Sequence, residues 1–221
     1  MTSQIEIVLD TETTGLSFEE DRIVEIGCIK LVERKPVQTF HTYLNPKRTS
    51  SLSAQKVHGL TDQFLRDKPL FSEVVHDFLG FVDGGTLVIH NASFDMGFLQ
   101  AELNRLQQPV QLDAICGVVD TLQVARKLFP GQKNSLDALC NRFGIDISHR
   151  DLHGALKDAD LLVKVYLQMT ILQHKFSLEG QEKAQDLSKT YTWEYDGLII
   201  ESSPEEREAH EAFLASIKGQ Q

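Results

Sequence analysis

Two carboxylates near the start of the chain have the residue types and the spacing of a metal site. Asp10 and Glu12 belong to the segment Asp-Thr-Glu-Thr-Thr-Gly-Leu at residues 10–16, directly after the apolar run 5–9. That run is rich in β-branched residues and ends at a polar, glycine-containing turn, which predicts a buried strand. Side chains alternate along a strand, so Asp10 and Glu12 would share one face about 7 Å apart. Such hard oxygen ligands suit Mg²⁺ or Mn²⁺; an acidic strand end that reaches solvent is the alternative.

A third carboxylate, Asp95, follows a second predicted strand. Residues 86–90 form a short apolar run, and Asn91 or Ser93 would cap a helix that continues to about residue 106. Asp95 would then lie in the first turn of that helix, where the helix dipole favours a negative charge. The residue is therefore either a stabilising terminal charge or a further metal ligand.

The pair His153 and Asp158 precedes the last long helix. Positions five apart lie about 140° away from each other around a helix, so the two side chains cannot share a face of one continuous helix. If both serve one site, His153 must lie on the loop before the helix, and Gly154 allows that break. A histidine on a loop could accept a proton at neutral pH. A surface histidine beside an acidic first turn is the alternative.

Strands and helices along the chain must bring these residues together. Strands are predicted at residues 23–32, 39–44 and 118–121, and the short early connections favour an antiparallel meander of three strands. Helices are predicted at residues 53–57, 71–82, 136–143 and in a last long segment whose buried face comprises Leu162, Val165, Tyr166 and Met169. Because strand ends and helix starts meet at one edge of an α/β sheet, the four carboxylates and His153 are predicted to converge there.

The composition is that of an ordinary globular protein. The chain has 221 residues, 41% hydrophobic and 24% charged, enough for one well-buried domain with an appendage or for two small domains. It contains no apolar run of 18 residues and no basic-then-apolar start, which predicts a cytoplasmic protein. Cys28, Cys116 and Cys140 are widely spaced and are predicted to be reduced core thiols.

The formal net charge of −10 argues against strong non-specific electrostatic binding of nucleic acid over a broad surface. Non-specific binding to nucleic acid comes mainly from Lys and Arg side chains that neutralise phosphates. The negative net charge does not exclude nucleic acid as a substrate, because cations bound at a carboxylate cluster would cancel part of the negative charge. Weak intrinsic DNA binding, strengthened by a partner protein, would also be consistent with the negative net charge.

The three chemical segments resemble the motifs of the DnaQ-like exonucleases of the DEDDh type. Those motifs are Asp-x-Glu-Thr-Thr-Gly, Asn-x-x-Phe-Asp and a His followed five residues later by Asp, and they match residues 10–16, 90–95 and 153–158. Within this family the chain is similar to the epsilon proofreading subunits of bacterial DNA polymerase III. That likeness covers about residues 4–170 and includes the segments 43–46, 57–60, 67–69, 124–131, 134–140 and 166–170.

The resemblance implies a ribonuclease H-like fold, a mixed five-stranded sheet flanked by helices with three antiparallel strands first. It implies removal of nucleotides from a DNA 3′ end by two-metal hydrolysis with Mg²⁺ or Mn²⁺. His153 would then be the general base. The metal ligands would be Asp10, Glu12, Asp95 and Asp158, and the residues around the terminal nucleotide would be Thr11, Glu12, His58 and Asn91.

The resemblance also divides the chain into an exonuclease domain, residues 1–172, and a linker with a docking segment, residues 173–221. In the family such a segment binds the polymerase catalytic subunit, and residues 173–178 are similar to a sliding-clamp peptide, with an ordinary linker as the alternative. One departure is Ser53, since related subunits tend to carry an acidic residue there.

Two other functions remain open at this stage. A freestanding DEDDh exonuclease that trims RNA or short DNA would differ in partner and in the sugar it accepts. A docking protein without catalysis would differ in class, but unneutralised carboxylates repel one another, so the intact set of acidic residues argues against that function.

Overall fold

The computed structural model describes residues 5–108, 110–148 and 152–187, with side chains as far as residue 173 in the last helix. One sheet has the strand order β3-β2-β1-β4-β5. The strand β2 is antiparallel to both β1 and β3, whereas β4 runs parallel to β1 and β5 parallel to β4. The predicted mixed sheet is therefore confirmed. Its strands are β1 (Ile5–Thr13), β2 (Ile23–Val32), β3 (Lys35–Tyr43), β4 (Thr86–Ile89) and β5 (Gly117–Asp120).

Eight helices connect and cover the strands within the described residues. They are α1 (Leu52–His58), α2 (Asp62–Leu65), α3 (Phe71–Val82), α4 (Ala92–Arg105), α5 (Leu112–Ile115), α6 (Thr121–Leu128), α7 (Leu136–Phe143) and α8 (Ala155–Leu187). The bounds of α3 and α7 are those predicted from the apolar periodicity and the flanking caps. The four-residue helices α2 and α5 are too short for a periodic pattern and were not predicted.

Both faces of the central strands are buried, as β1 illustrates. Ile7 and Leu9 lie in the core cluster completed by α3 and α4, whereas Val8 lies in the cluster completed by α8. Side chains alternate along a strand. The same alternation directs Asp10 and Glu12 toward the side of α8, and Thr11 toward the side of α4.

The buried face of α8 is the predicted one. Leu162 and Tyr166 pack on the sheet, while Val165 and Met169 pack against α6 and α7. The helix continues through the predicted domain boundary at residue 172 as far as Leu187. Residues 188–221, which contain most of the predicted docking segment, lie outside the described residues, so the division of the chain at residue 172 stays a prediction.

The cysteines and the helix lengths agree with the composition. All three cysteines are buried and free, as predicted. Among the described helices, none combines the length and the apolarity that a membrane crossing requires.

The start of α8 lies directly against β2 at Gly27. A Cβ atom on Gly27 would lie 2.3 Å from the backbone nitrogen of Leu156 and 2.4 Å from the carbonyl carbon of Ala155. Gly27 is the register partner of Asp10. The absence of a side chain at residue 27 therefore lets the helix that carries Asp158 approach the strand that carries Asp10.

Gly27→Ala is expected to lower the free energy of unfolding by about 1–3 kcal/mol, the usual cost of overpacking a core. Urea denaturation of the two proteins measures the difference. Gly80→Ala is the matched control, because a Cβ added there meets no atom within 4 Å beyond its chain neighbours and the backbone of its own helix. Alanine in the helix interior should stabilise the control by up to ~1 kcal/mol. Equal stability of Gly27→Ala and the wild type would contradict the close approach.

Candidate active site

Three of the predicted site residues form a cluster at the edge of the sheet. Glu12 lies near the end of β1, Asp158 in the first turn of α8, and His153 on the loop before that helix. One potential ligand atom of each residue lies within 4.8 Å of those of the other two. His153 and Asp158 could not share a face of one continuous helix, and the position of His153 on the loop before α8 lets the two side chains meet.

Hydrogen bonds orient both the backbone and the side chain of His153. Its backbone N–H donates to the carbonyl of Val57 in α1 (3.0 Å), and its ring Nδ1 lies 3.1 Å from Oδ2 of Asp158. An ionised carboxylate can only accept, so Nδ1 carries the proton of this bond and Nε2 of the neutral ring is an acceptor. The His153 side chain is 44% exposed and that of Asp158 only 4%. The carboxylate is therefore fixed, while the imidazole reaches solvent.

Asp95 reaches the same edge from the other side of the sheet. Its Oδ1 accepts hydrogen bonds from the backbone N–H (3.0 Å) and the hydroxyl (2.7 Å) of Thr11. Burial raises the pKa of Asp95 to about 7, although the Thr11 bonds act in the opposite direction. A nearby divalent cation would favour the ionised carboxylate. Asp95 is thus tied to β1 by Thr11, the residue between Asp10 and Glu12.

Asp10 is not among the three residues of the cluster, but it and Asp95 both act on a buried cysteine. Burial, followed by the charges of Asp10 and Asp95, raises the pKa of the Cys28 thiol well above its ordinary value. Both carboxylates therefore lie within electrostatic range of one buried sulfur atom. The thiol stays protonated and unreactive at neutral pH.

A buried acidic residue beside the cluster was missed by the sequence analysis. Glu25 in β2 is the register partner of Glu12, is 3% exposed, and accepts a hydrogen bond from Nε2 of His41 (2.8 Å). Like charges directly opposite each other in a sheet are destabilising. The available signal was a charged residue inside the otherwise apolar run 23–29.

A pocket of about 320 Å³ adjoins the cluster. The predicted nucleotide-binding residues Thr11, Glu12 and His58 all line it. The sequence analysis assigned no binding role to the other lining residues, although Thr13, Gly15 and Leu16 lie in the first recognised motif and Phe94 in the second. Those others are Thr13, Gly15, Leu16, Ser51, Ser53, Ala54, Val57 and Phe94.

His58 presents a hydrogen-bond donor at this pocket. Its Nδ1 accepts from the backbone N–H of Leu60 (2.9 Å), so Nε2 carries the proton of the neutral ring. His58 is 4% exposed, and Nε2 finds no hydrogen-bond partner among the described residues. Burial lowers the pKa of His58, offset in part by the backbone of Thr13. A buried donor without a partner is costly unless a ligand satisfies it.

Asn91 lines a different pocket from the other predicted nucleotide-binding residues. It lies at the N-cap position of α4 in the left-handed conformation (φ 66°), and its side chain makes no capping bond. Its backbone N–H donates to Oδ1 of Asp120 (3.2 Å). Ser93 lies inside α4, so neither of the two predicted side-chain caps forms.

A protein-family model described as exonuclease matches residues 7–166, which include every residue of the cluster. The chain belongs to this exonuclease family. DNA polymerase III subunit epsilon of Escherichia coli is 44% identical to it over 226 residues, covering 96% of this chain and 93% of that protein. The subunit of the same name from Buchnera aphidicola of Schizaphis graminum is 42% identical over 224 residues, 96% of both chains.

A solved structure supports the fold of this exonuclease. Exonuclease X, in a complex with 5′ overhanging duplex DNA, is 27% identical, with a TM-score of 0.60 over 76% of this chain and 92% of the other. The ribonuclease H-like fold class implied by the sequence motifs is thus confirmed.

The donor set of the exonuclease fits hard divalent cations. Glu12 and Asp158 supply carboxylate oxygens within 4.8 Å of each other; Asp10 lies two residues before Glu12 on β1, and Asp95 bonds to Thr11 between them. Mg²⁺ and Mn²⁺ prefer such oxygen ligands, whereas structural zinc sites usually include thiolates or several imidazoles. His153 is the one nitrogen donor of the cluster and already bonds to Asp158.

Proposed function

We propose that this exonuclease is the proofreading subunit of a bacterial replicative DNA polymerase and removes nucleotides from the 3′ end of DNA. The Glu12, His153 and Asp158 cluster beside a nucleotide-sized pocket carries the proposal. The names of the relatives, subunits of DNA polymerase III, support the polymerase as partner. A freestanding enzyme that trims RNA is the competing function.

Asp10, Glu12, Asp95 and Asp158 would hold two divalent cations. Two such ions, when bound, help to activate the attacking water and stabilise the leaving 3′ oxygen. From the family resemblance, we assign to Asp10, which shares a face of β1 with Glu12, a role in holding both ions. Thr11 holds Asp95 in place through two hydrogen bonds, so the ligand set is positioned before any cation binds.

His153 is proposed to take the proton from the attacking water at Nε2. Asp158 accepts from Nδ1 and stabilises the imidazolium that forms, while Val57 holds the loop at the backbone. The exposed position of the ring lets the proton pass on to bulk solvent. The terminal nucleotide would occupy the 320 Å³ pocket, with its base against Phe94 and Leu16 and the Nε2–H of His58 donating to it.

Digestion of a 3′-labelled DNA primer, paired or mispaired at its end, tests the proposal beside a matched RNA. We expect release of single nucleotides with Mg²⁺, faster from the mispaired end, and no release with EDTA or in Asp10→Ala. Preference for the RNA would favour the freestanding enzyme. Failure on both substrates would contradict the nuclease function.

Residues 173–221 are proposed to dock the polymerase catalytic subunit, and residues 173–178 to bind the sliding clamp. Gel filtration with the purified catalytic subunit, comparing the full chain with one ending at residue 172, tests the first; co-elution of both forms would contradict it. Retention on immobilised clamp, wild type against Gln173→Ala with Phe176→Ala, tests the second. Equal retention would exclude residues 173–178 as the clamp-binding peptide.

A further inference from the structure

A second, more polar pocket of about 810 Å³ lies at the ends of β4 and β5. Hydrophobic side chains of α6 and α7 form part of its wall, and the polar lining residues are His90, Asn91, Arg126, Gln132, Asn134 and Ser135. None of these except Asn91 has a role in the proposed chemistry.

The sheet places this pocket beside the candidate active site. Ile89 is the register partner of Leu9 in the parallel pair of β1 and β4. The residues that follow, His90 and Asn91, therefore leave the sheet next to Asp10 and Thr11. A strand whose terminal phosphate lies at the carboxylates and whose terminal base fills the smaller pocket would be able to leave across Asn91.

The charge around the pocket contrasts with that of the whole chain. Residues 121–144 contain four Lys or Arg side chains and one Asp, in a chain of formal net charge −10. Such a local excess of cationic side chains is the usual footprint of phosphate binding. The cations are Arg126, Lys127, Lys133 and Arg142.

Two of these cations, Arg142 and Arg126, have different roles at the pocket. Arg142 donates to Oδ1 of Asn134 (3.2 Å) and to the carbonyl of Lys133 (2.8 Å), and its guanidinium stacks on Phe129 at 4.3 Å. Arg126 lines the pocket, and in the described part of the chain no hydrogen bond or ion pair engages its guanidinium. Arg142 fixes the wall, and Arg126 supplies a charge for a ligand.

Among the described residues, no carboxylate forms an ion pair with the guanidinium of Arg126. The carboxylate of Asp120 lies beside the pocket, but its Oδ1 accepts from the backbone N–H groups of Asn91, Leu122 and Gln123. His90 bonds to the hydroxyl of Thr121 (3.0 Å). Burial lowers the pKa of His90, so the ring is neutral and leaves Arg126 as the cation of the lining.

We infer that this pocket binds the phosphodiester backbone of the scissile strand, upstream of its terminal nucleotide. Arg126 would pair with a phosphate, Gln132 and Asn91 would donate amide hydrogens, and Lys133, between two lining residues, would add a second charge. The inference rests on the proposed function, since it assigns the upstream part of the same substrate.

Arg126→Gln combined with Lys133→Gln tests the inference. The control, Arg66→Gln combined with Lys35→Gln, removes the same charges from exposed positions on other elements. Three substrates are compared: a single-stranded DNA oligonucleotide, the same strand annealed in a duplex, and the p-nitrophenyl ester of thymidine 5′-monophosphate, which has no upstream phosphate. We expect a KM about tenfold higher on the oligonucleotide, an unchanged rate on the ester, and a salt dependence of kcat/KM weaker by about 0.7 for each phosphate that the variant no longer neutralises.

The possible outcomes separate the inference from the proposed function. An unchanged KM and salt slope on the single strand would overturn the inference while wild-type cleavage of both substrates upheld the nuclease. An effect confined to duplex DNA would assign the pocket to the complementary strand and likewise overturn it. A parallel decrease on the ester would also overturn the inference, because the two side chains would then act at the catalytic centre and not at an upstream subsite. A wild type inert on both substrates would contradict the nuclease itself.

Discussion

Glu12→Gln is expected to reduce exonuclease activity more than 10⁴-fold, beyond the 10²–10⁴ that a general base contributes. The substitution removes a charged ligand oxygen from the cluster of Glu12, His153 and Asp158. Without metal, the variant should be as stable as the wild type or more stable by about 0.2–1 kcal/mol, because Glu12 lies opposite the buried Glu25. Single-turnover cleavage of a labelled primer measures the first effect, and urea denaturation in EDTA measures the second.

A matched control is Glu20→Gln, which removes the same charge from an exposed loop position. Its activity and stability should equal those of the wild type. Asp158→Ala should reproduce the loss of activity, since it removes the second carboxylate of the cluster. A collapsed circular dichroism spectrum for Glu12→Gln, or retained turnover, would contradict the assignment of Glu12 as a ligand that costs the metal-free fold stability.

His153→Ala is expected to lower kcat by about 10² to 10⁴, the usual contribution of a general base. In the proposed mechanism Nε2 accepts the proton and the carboxylates hold the metal ions, so the Mg²⁺ concentration that gives half-maximal rate should change little. Titration of the rate with Mg²⁺ separates the two effects. His76→Ala, at an exposed position of α3, is the control and should retain full activity.

A fall in metal affinity together with the rate would identify His153 as a ligand. A ligand role is geometrically feasible, because a ring nitrogen of His153 lies within 4.8 Å of carboxylate oxygens of Glu12 and Asp158. The hydrogen bond from Nδ1 to Asp158 favours the general-base role of His153, because Nε2 is the ring nitrogen that this bond does not use.

Local patterns were enough to predict much of the fold. The helix at 71–82 follows from apolar residues spaced at three and four, and that at 136–143 from a Ser cap and a terminal Gly, and both bounds are as predicted. The buried face of α8 follows from the same periodicity. These elements are set by residues close in sequence, so sequence spacing is sufficient to find them.

The start of β3 shows where local patterns failed. The strand was predicted from residue 39 but begins at Lys35, after a tight turn in which Glu33 and Arg34 have φ of 49° and 65°. Two-residue hairpins of this kind usually carry Asn or Gly, which tolerate positive φ. Pairing with β2 and the contact of Arg34 with the carbonyl of Leu167 in α8 outweigh that preference.

By itself the sequence determined which side chains could do chemistry: the carboxylates of the first and second motifs, and a histidine that had to stand before its helix. Tertiary structure alone decided how they meet. Thr11 joins Asp95 to β1, Gly27 admits α8 beside Asp10, and Asn91 lines the larger pocket instead of the smaller one. Each depends on residues far apart in the chain, and such contacts are fixed by sheet register and close packing, which sequence periodicity does not encode.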